Sequence, residues 1–266
     1  MIIVGERVNT SRQEIKAAVE NRDENYIKSD VSGQYQAGAD YIDINAGISS
    51  GKEIEDLEWL INVIQEEIDC PLCIDSADSS VLEKAFAMVN KPPMINSISL
   101  EAKRLYPMLE FLKGKKCRVV ALCVSDGGLP KSAEEIVERT EIFVQRLAGI
   151  GIEHDDIFID PVIQPVCTDV TKGKMILNSI MKIKDIFPNI HIICGLSNVS
   201  YGLPERKSIN RTFLTMMMSA GLDSVILDPL DKRIMSTYRT TKMLLGDDPY
   251  CRNFIKAVRD GNYIPG

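Results

Sequence analysis

Short acidic and carboxamide side chains recur in this chain at the ends of apolar runs. The main ones are Asp43, Asn45, Asp75, Asn96, Asp160 and Asn198. Any one of them alone is an ordinary loop or turn former. A carboxylate can accept two parallel hydrogen bonds from an amino group and an adjacent ring N–H, and an amide can both donate and accept. The set therefore favours binding of a flat heterocycle with adjacent N–H donors, such as a pterin.

The scarcity of histidine excludes several other chemistries. Of the two histidines, His154 stands before the sixth predicted strand and His191 near the start of the seventh, and each is interpreted as structural. A Ser-His-Asp or Cys-His hydrolase is therefore not predicted. No lysine ends a predicted strand, which disfavours a Schiff-base aldolase. A Mg²⁺ site made by Asp43, Asp75 and Asp160 stays as an alternative, because carboxylates are its preferred ligands.

Two short motifs are weakly similar to binding sites of other kinds. Cys70 and Cys73 have the spacing of half a zinc site, but no second pair follows among the seven cysteines, so buried thiols are predicted instead. The segment 47–52, Gly-Ile-Ser-Ser-Gly-Lys, is one residue shorter than a phosphate-binding loop and has no Ser or Thr after the lysine. Neither a metal site nor a nucleotide site is predicted there.

Composition limits the partners. The 266 residues are 45% hydrophobic and carry a net charge of −7, which disfavours binding to nucleic acid or to an anionic membrane surface. No apolar run approaches the ~20 residues that span a bilayer, and Glu6 and Arg7 arrive before the core of a signal peptide could form. The expectation is a cytoplasmic protein with one domain over residues 1–266.

The chain alternates between strand-like and helix-like segments. Eight strands are predicted at Ile2–Val4, Tyr41–Asn45, Leu72–Asp75, Met94–Ser97, Val119–Val124, Ile157–Asp160, Ile190–Gly195 and Val225–Asp228. Apolar residues at helical spacing follow the strands, most clearly over Ile54–Ile68, Ser132–Ile150, Met175–Phe187 and Thr212–Ala220. Gly38 and Gly221 stand where left-handed helix caps are expected.

Eight β-α units in this length predict a (β/α)₈ TIM barrel, which typically has ~250 residues. An open doubly wound sheet would require a glycine fingerprint after its first strand, whereas Gly149 and Gly151 lie between a helix and a strand and are read as a helix cap. A barrel places the carboxyl ends of all strands at one mouth. Further polar residues at these ends are Glu6, Arg7, Asn9, Ser125, Asp126, Ser200 and Asp228.

Three stretches resemble the pterin-binding methyltransferases. Ala39–Gly47 is similar to the pterin-binding signature, and Gly5–Asn9 opens the chain as that family opens. Gly195–Pro204, continued by Ile209–Leu214, is similar to the loop of the folate domain of cobalamin-dependent methionine synthase. By size, the chain resembles free-standing methyltetrahydrofolate:corrinoid protein methyltransferases, and the resemblance covers nearly its whole length.

The resemblance implies a TIM barrel, a homodimer and a folate site. It implies that Asp75, Asn96 and Asp160 hold the pterin edge of tetrahydrofolate or 5-methyltetrahydrofolate, with Asp43 and Asn45 in the same polar set. Asn198 is implied to reach N5, as the catalytic contact. Gly195, Ser197 and Arg206 are implied to line the same mouth.

The corrinoid is expected on another protein. Neither histidine lies in the Asp-x-His-x-x-Gly context of a cobalamin-binding module, and no paired-cysteine zinc site is present to activate a thiol. Tyr201 stands where relatives that serve the corrinoid iron-sulfur protein usually have Gln. This difference favours transfer from a methyl-corrinoid to tetrahydrofolate in anaerobic demethylation, with transfer from methyltetrahydrofolate in acetogenesis as the alternative.

Two rival functions remain open. A dihydropteroate-synthase-like enzyme would need a basic pyrophosphate pocket, for which only Arg7, Arg206 and Arg211 are candidates. A non-catalytic folate-binding or corrinoid-docking subunit is the other, and the intact Asp and Asn set counts against it.

Overall fold

A parallel sheet rich in β-branched residues forms the centre of the molecule. The computed structural model describes residues 1–47 and 51–264. In that part of the chain the strands are β1 Ile2–Asn9, β2 Tyr41–Asn45, β3 Leu72–Asp75, β4 Met94–Leu100, β5 Arg118–Ser125, β6 Ile157–Asp160, β7 His191–Ile192 and β8 Ser224–Leu227. Their order is β7-β6-β5-β4-β3-β2-β1-β8. A parallel bridge between Gly195 and Ile226 joins the two edges, and the predicted (β/α)₈ barrel is confirmed.

Amphipathic helices cover the outside of the barrel. The described helices are α1 Gln13–Glu20, α2 Glu24–Ala37, α3 Glu53–Glu67, α4 Ser79–Phe86, α5 Ala102–Leu112, α6 Ala133–Ala148, α7 Lys172–Ile186, α8 Arg206–Ala220, α9 Lys232–Leu244 and α10 Arg252–Arg259. In α3, Leu57, Leu60 and Ile64 are fully buried, as their spacing on one helical face predicts. Gly38 and Gly221 end α2 and α8 with φ of 108° and 110°, which confirms both predicted caps.

The barrel interior is apolar at one level and polar at the next. Seven buried residues in the strands, or directly after one, form a cluster separate from the main core: Val4, Tyr41, Cys73, Met94, Val120, Phe158 and Ile193. Side chains two residues apart on a strand point to the same face. The next inward positions, two residues nearer the carboxyl ends, are Glu6, Asp43, Asp75, Asn96, Leu122, Asp160 and Gly195. The alternation thus places a polar layer on top of an apolar floor.

Several predicted element bounds need correction, and among them β4 continues to Leu100 rather than ending at Ser97. β1 continues past Val4 to Asn9 through a bulge between Gly5 and Val8, which a period-two pattern does not reveal. β7 is only His191–Ile192, because the chain soon enters a 3₁₀ turn over Leu196–Ser200. α8 begins at Arg206 rather than Thr212, since its first two turns are polar and lie at the cavity mouth.

The weak motifs have structural roles. Cys70 and Cys73 are buried free thiols, and Cys70 Sγ donates to the Asp40 carbonyl at 3.3 Å. Gly149 caps α6, as predicted. In the loop-like segment 47–52, residues 48–50 lie outside the described residues, and Lys52 is the N-cap of α3.

The described ranges show neither a metal centre nor a membrane span. Within residues 1–47 and 51–264, no group of three His, Cys, Asp or Glu side chains is arranged to hold a metal ion, the Asp43, Asp75 and Asp160 alternative included. None of the helices described in those ranges is long and apolar enough to cross a bilayer.

His191 lies at the end of the barrel opposite the polar layer, in an acidic clamp. Its Nδ1 is 3.0 Å from Asp223 and its Nε2 is 3.2 Å from Asp155, and the ring stacks on Phe158. The hydrogen bond to Asp223 raises the pKa of His191 above its ordinary value.

A pH dependence of stability follows from this clamp. Because the folded-state pKa of His191 is raised, its contribution is fully present below the unfolded-state value of about 6.5 and is lost as pH rises through the folded-state pKa. We expect urea denaturation to show this loss in the wild type and in His154→Gln, a control at an exposed histidine. His191→Gln should reduce the loss, and an equal pH slope in all three proteins would contradict the assignment.

Candidate active site

A cavity of about 940 Å³ opens at the carboxyl ends of the strands. Its walls come from β1–β4, β8, the 3₁₀ turn and the first turns of α8 and α9. Five residues of the predicted site line it: Asp43, Asp75, Asn96, Ser197 and Arg206. Four others lie outside this lining: Asn45, Asp160, Gly195 and Asn198. The structure therefore brings the core of the predicted set together and places the rest around it.

Two carboxyl groups lie at the bottom of the cavity, within the polar layer. Asp43 is 3% exposed and accepts a hydrogen bond from Asn96 Nδ2 at 3.5 Å. Burial first, and the charge of Asp75 second, raise the pKa of Asp43 well above its usual range. Burial also raises the pKa of Asp75, while Asn45 Nδ2 donates to Asp75 Oδ2 at 2.8 Å and opposes that rise. Asn45 thus positions and stabilises the Asp75 carboxylate.

Asp160 ends β6 with a desolvated carboxyl group. Its Oδ1 accepts from the backbone N–H of Val162 at 2.8 Å, and burial raises the pKa of Asp160 to about 6. No ion pair joins Asp160 to a basic side chain of the described residues. A desolvated carboxylate without a counter-charge is well suited to a ligand that donates two N–H bonds.

Arg206 holds the 3₁₀ turn in place. Its guanidinium donates to the Ser197 carbonyl at 2.8 Å and to Ser200 Oγ at 3.1 Å. The Asn198 side chain is exposed, and its Nδ2 would lie 3.3 Å from a Cβ added to Gly195. Gly195 therefore leaves room for this amide, which has no side-chain hydrogen bond to other described residues and is available to a ligand.

Arg7 is engaged within the fold. Its guanidinium lies 2.7 Å from the Asp30 carboxylate and 2.9 Å from the Asp228 carboxylate. These two ion pairs connect β1 to α2 and to the loop after β8. Because the Arg7 guanidinium pairs with both carboxylates, it stabilises the fold and is not left free to bind a ligand phosphate.

Sequence reasoning assigned no role to two cavity residues, Glu6 and Asn210. Glu6 accepts a hydrogen bond from Ser197 Oγ at 3.3 Å. Burial, and next the charge of Asp228, raise the pKa of Glu6 to about 7. The sequence indicates that Glu6 faces the cavity only through its position two residues after Val4, which faces the barrel interior. Among the residues that the structure describes, Asn210 Oδ1 is buried without a hydrogen-bond partner, and only its position on α8 reveals that it lines the cavity.

Comparison with known proteins identifies the family. The model of the family described as pterin binding enzyme matches residues 5–228. This chain belongs to that family. Over its whole length it is 36% identical to the methylcorrinoid:tetrahydrofolate methyltransferase of Eubacterium limosum, of which the match covers 98%. The expected likeness to the pterin-binding methyltransferases is thereby confirmed.

More distant pterin binding enzymes share part of the sequence or only the fold. The chain is 24% identical over 240 residues to the methionine synthase of Mycobacterium tuberculosis, and that match covers 85% of the chain but 20% of the synthase. The dihydropteroate synthase structure from Coxiella burnetii in complex with pteroic acid has a TM-score of 0.69 at 16% identity, covering 91% of this chain and 94% of that one. This second likeness concerns the barrel fold alone.

Proposed function

We propose that this protein is a methyltransferase that moves a methyl group from the cobalt of a separate corrinoid protein to N5 of tetrahydrofolate. The observation that carries the proposal is the whole-length similarity to a methylcorrinoid:tetrahydrofolate methyltransferase. The cavity supports it independently, because a buried acidic and carboxamide layer is complementary to a pterin edge.

In this proposal the pterin lies over the polar layer of the barrel. Asp75, Asn96 and Asp160 bind the 2-amino, N3 and neighbouring ring positions, since carboxylates accept from adjacent N–H groups and an amide pairs with the remaining edge. Asn45 supports this contact by holding Asp75. Asp43 accepts a hydrogen bond from Asn96 Nδ2 and thereby orients its amide.

Asn198 contacts the reacting nitrogen in this proposal. N5 becomes cationic as it gains the methyl group, and the carboxamide oxygen of Asn198 stabilises that developing charge through a hydrogen bond from N5. The amide does not titrate, so its role is electrostatic and orienting. Gly195 and Ser197, with Arg206 bound to the turn, set the position of Asn198.

In this proposal the corrinoid is bound by the partner protein, and its cobalt carries the methyl group that is transferred. The described lining of the cavity contains no histidine that could serve as a lower axial ligand, and in this proposal the partner protein docks over the open mouth. The seven cysteines are all unpaired thiols, which supports a reducing cytoplasm as the location. We also infer a homodimer, as the family resemblance implies, and sedimentation equilibrium tests that inference.

The direct test incubates the purified protein with methylcobalamin, or with a methylated corrinoid protein, and tetrahydrofolate. We expect protein-dependent formation of 5-methyltetrahydrofolate together with loss of the methyl-cobalt absorption. Transfer only from 5-methyltetrahydrofolate to reduced corrinoid would reverse the proposed direction and favour the acetogenic alternative. No transfer in either direction would overturn the proposal.

A parallel assay addresses the dihydropteroate-synthase-like rival. That reaction uses a pterin pyrophosphate and 4-aminobenzoate. Because Arg7 is engaged by Asp30 and Asp228, we expect no product from these substrates. Formation of dihydropteroate would favour the rival over methyl transfer.

A further inference from the structure

Glu6 lies in the cavity at an irregularity in β1. Gly5 pairs with Ile42 and Val8 pairs with Ile44, so the bulge leaves Glu6 and Arg7 without partners in the register. Bulges re-aim side chains and are common beside active sites. Both side chains of the bulge line the cavity, but only that of Arg7 is used in ion pairs.

The surroundings of Glu6 leave it free to exchange a proton. Its carboxylate accepts from Ser197 Oγ and forms no ion pair with a Lys or Arg of residues 1–47 and 51–264. Four charged groups face it from neighbouring elements. They are Asp43 on β2, Asp228 after β8, Arg12 before α1 and Arg206 on α8.

The other polar groups of the cavity are less suited to moving a proton. Asn198 does not titrate, and Asp228 is held by Arg7. Asp75 and Asp43 lie in the polar layer at the bottom of the cavity, where the pterin edge is proposed to bind. Glu6 contacts Ser197, the immediate neighbour of Asn198, and therefore lies on the side of the cavity where N5 is placed.

We propose that Glu6 is the proton acceptor for N5 of tetrahydrofolate, directly or through one water molecule. This inference rests on the proposed function. As N5 attacks the methyl carbon, the N–C bond forms, the cobalt–carbon bond breaks and its electron pair remains on cobalt. In the transition state the N5–H group is shared between Asn198 Oδ1 and the Glu6 carboxylate or its bridging water, and the proton then passes to Glu6 and from there to solvent. In the reverse direction Glu6 returns this proton to N5.

The pH dependence of turnover follows from this role. The acceptor must be ionised for transfer to tetrahydrofolate, and burial raises the pKa of Glu6 to about 7. We expect turnover at saturating substrates to rise with pH through neutrality. Asp43, Asp228, Arg12 and Arg206 contribute to where that rise falls, because their charges act on Glu6.

The experiment compares Glu6→Gln with Glu110→Gln, which changes an exposed glutamate on α5. General acid–base groups contribute ~10²–10⁴-fold to a rate, so we expect Glu6→Gln to lower turnover at least about 10²-fold. Calorimetric affinity for tetrahydrofolate should stay within about threefold, and the rise of turnover with pH should disappear. Glu6→Asp should regain part of the turnover, and Glu110→Gln should match the wild type.

The outcomes separate this proposal from the proposed function. Wild-type transfer with a Glu6→Gln variant of equal turnover and equal pH profile overturns the role of Glu6 and leaves the methyltransferase standing. Loss of folate affinity in Glu6→Gln would make Glu6 a binding residue and overturn the proposal as well. A wild-type turnover that does not vary between about pH 5.5 and 8.5 would also overturn the role of Glu6 as proton acceptor. Absence of transfer by the wild type contradicts the proposed function itself.

Discussion

Asp160→Ala is expected to abolish detectable binding of tetrahydrofolate. The proposed contact comprises two charge-assisted hydrogen bonds, each contributing ~1.5–3 kcal/mol, so about 3–6 kcal/mol of binding free energy is lost. That corresponds to a ~10²–10⁴-fold weaker affinity. The fold should tolerate the change, because removing a carboxylate that burial disfavours costs only its bond to the Val162 N–H.

Isothermal titration calorimetry checks this result at constant ionic strength. Asp185→Ala is the matched control, since Asp185 is exposed on α7 and lies far from the cavity. It should retain wild-type affinity. Thermal denaturation of both variants establishes that they are folded. An Asp160→Ala protein that binds tetrahydrofolate as the wild type does would remove Asp160 from the site.

Asn198→Ala is expected to lower turnover strongly while folate affinity changes little. Loss of one hydrogen-bond partner of a developing charge costs ~10²–10³-fold in rate. The amide is exposed, and its side chain forms no hydrogen bond within residues 1–47 and 51–264, so its removal should leave the turn over Leu196–Ser200 intact. Affinity should therefore remain within about threefold of the wild type.

Single-turnover kinetics at saturating tetrahydrofolate measure this effect apart from binding. Asn189→Ala, at an exposed position before β7, is the control and should react at the wild-type rate. If Asn198→Ala reacts as fast as the wild type, the electrostatic role is wrong. If affinity and rate fall together by the same factor, Asn198 contributes to binding rather than to the transition state.

The barrel could be predicted because its strands are short apolar runs at regular spacing. Tyr41–Asn45, Leu72–Asp75 and Ile157–Asp160 have the predicted bounds, since in each a polar residue follows the buried run and ends the strand. The alternation of inward- and outward-facing residues along each strand also predicted the polar layer. Asp43, Asp75 and Asp160 each stand two residues beyond a member of the apolar floor.

The errors lie where local pattern does not determine backbone geometry. The bulge in β1 adds a residue without changing the apolar pattern, so period-two alternation indicated Glu6 as an inward position but did not predict that Arg7 also lines the cavity. The role of Arg206 depended on contacts with Ser197 and Ser200 across a turn, which the hydrophobic pattern could not predict. Likewise, the buried Asn210 Oδ1 is apparent only once α8 is placed over the barrel.

The resemblance contributed what residue patterns could not. Periodicity and polar strand ends favoured a planar heterocycle, but N5 chemistry and a corrinoid partner came from the Gly195–Pro204 motif. The family match over residues 5–228 confirms the family. The individual roles of Asp75, Asn96, Asp160 and Asn198 stay predictions for the variants described above.

A crystal structure of the protein with tetrahydrofolate tests the central claim most directly. We predict that the pterin occupies the cavity at the carboxyl ends of the strands. Its amino and ring N–H groups should lie within hydrogen-bond distance of Asp75, Asn96 and Asp160, with N5 toward Asn198. A pterin bound outside this polar layer, or oriented with its N–H edge toward solvent, would contradict the account.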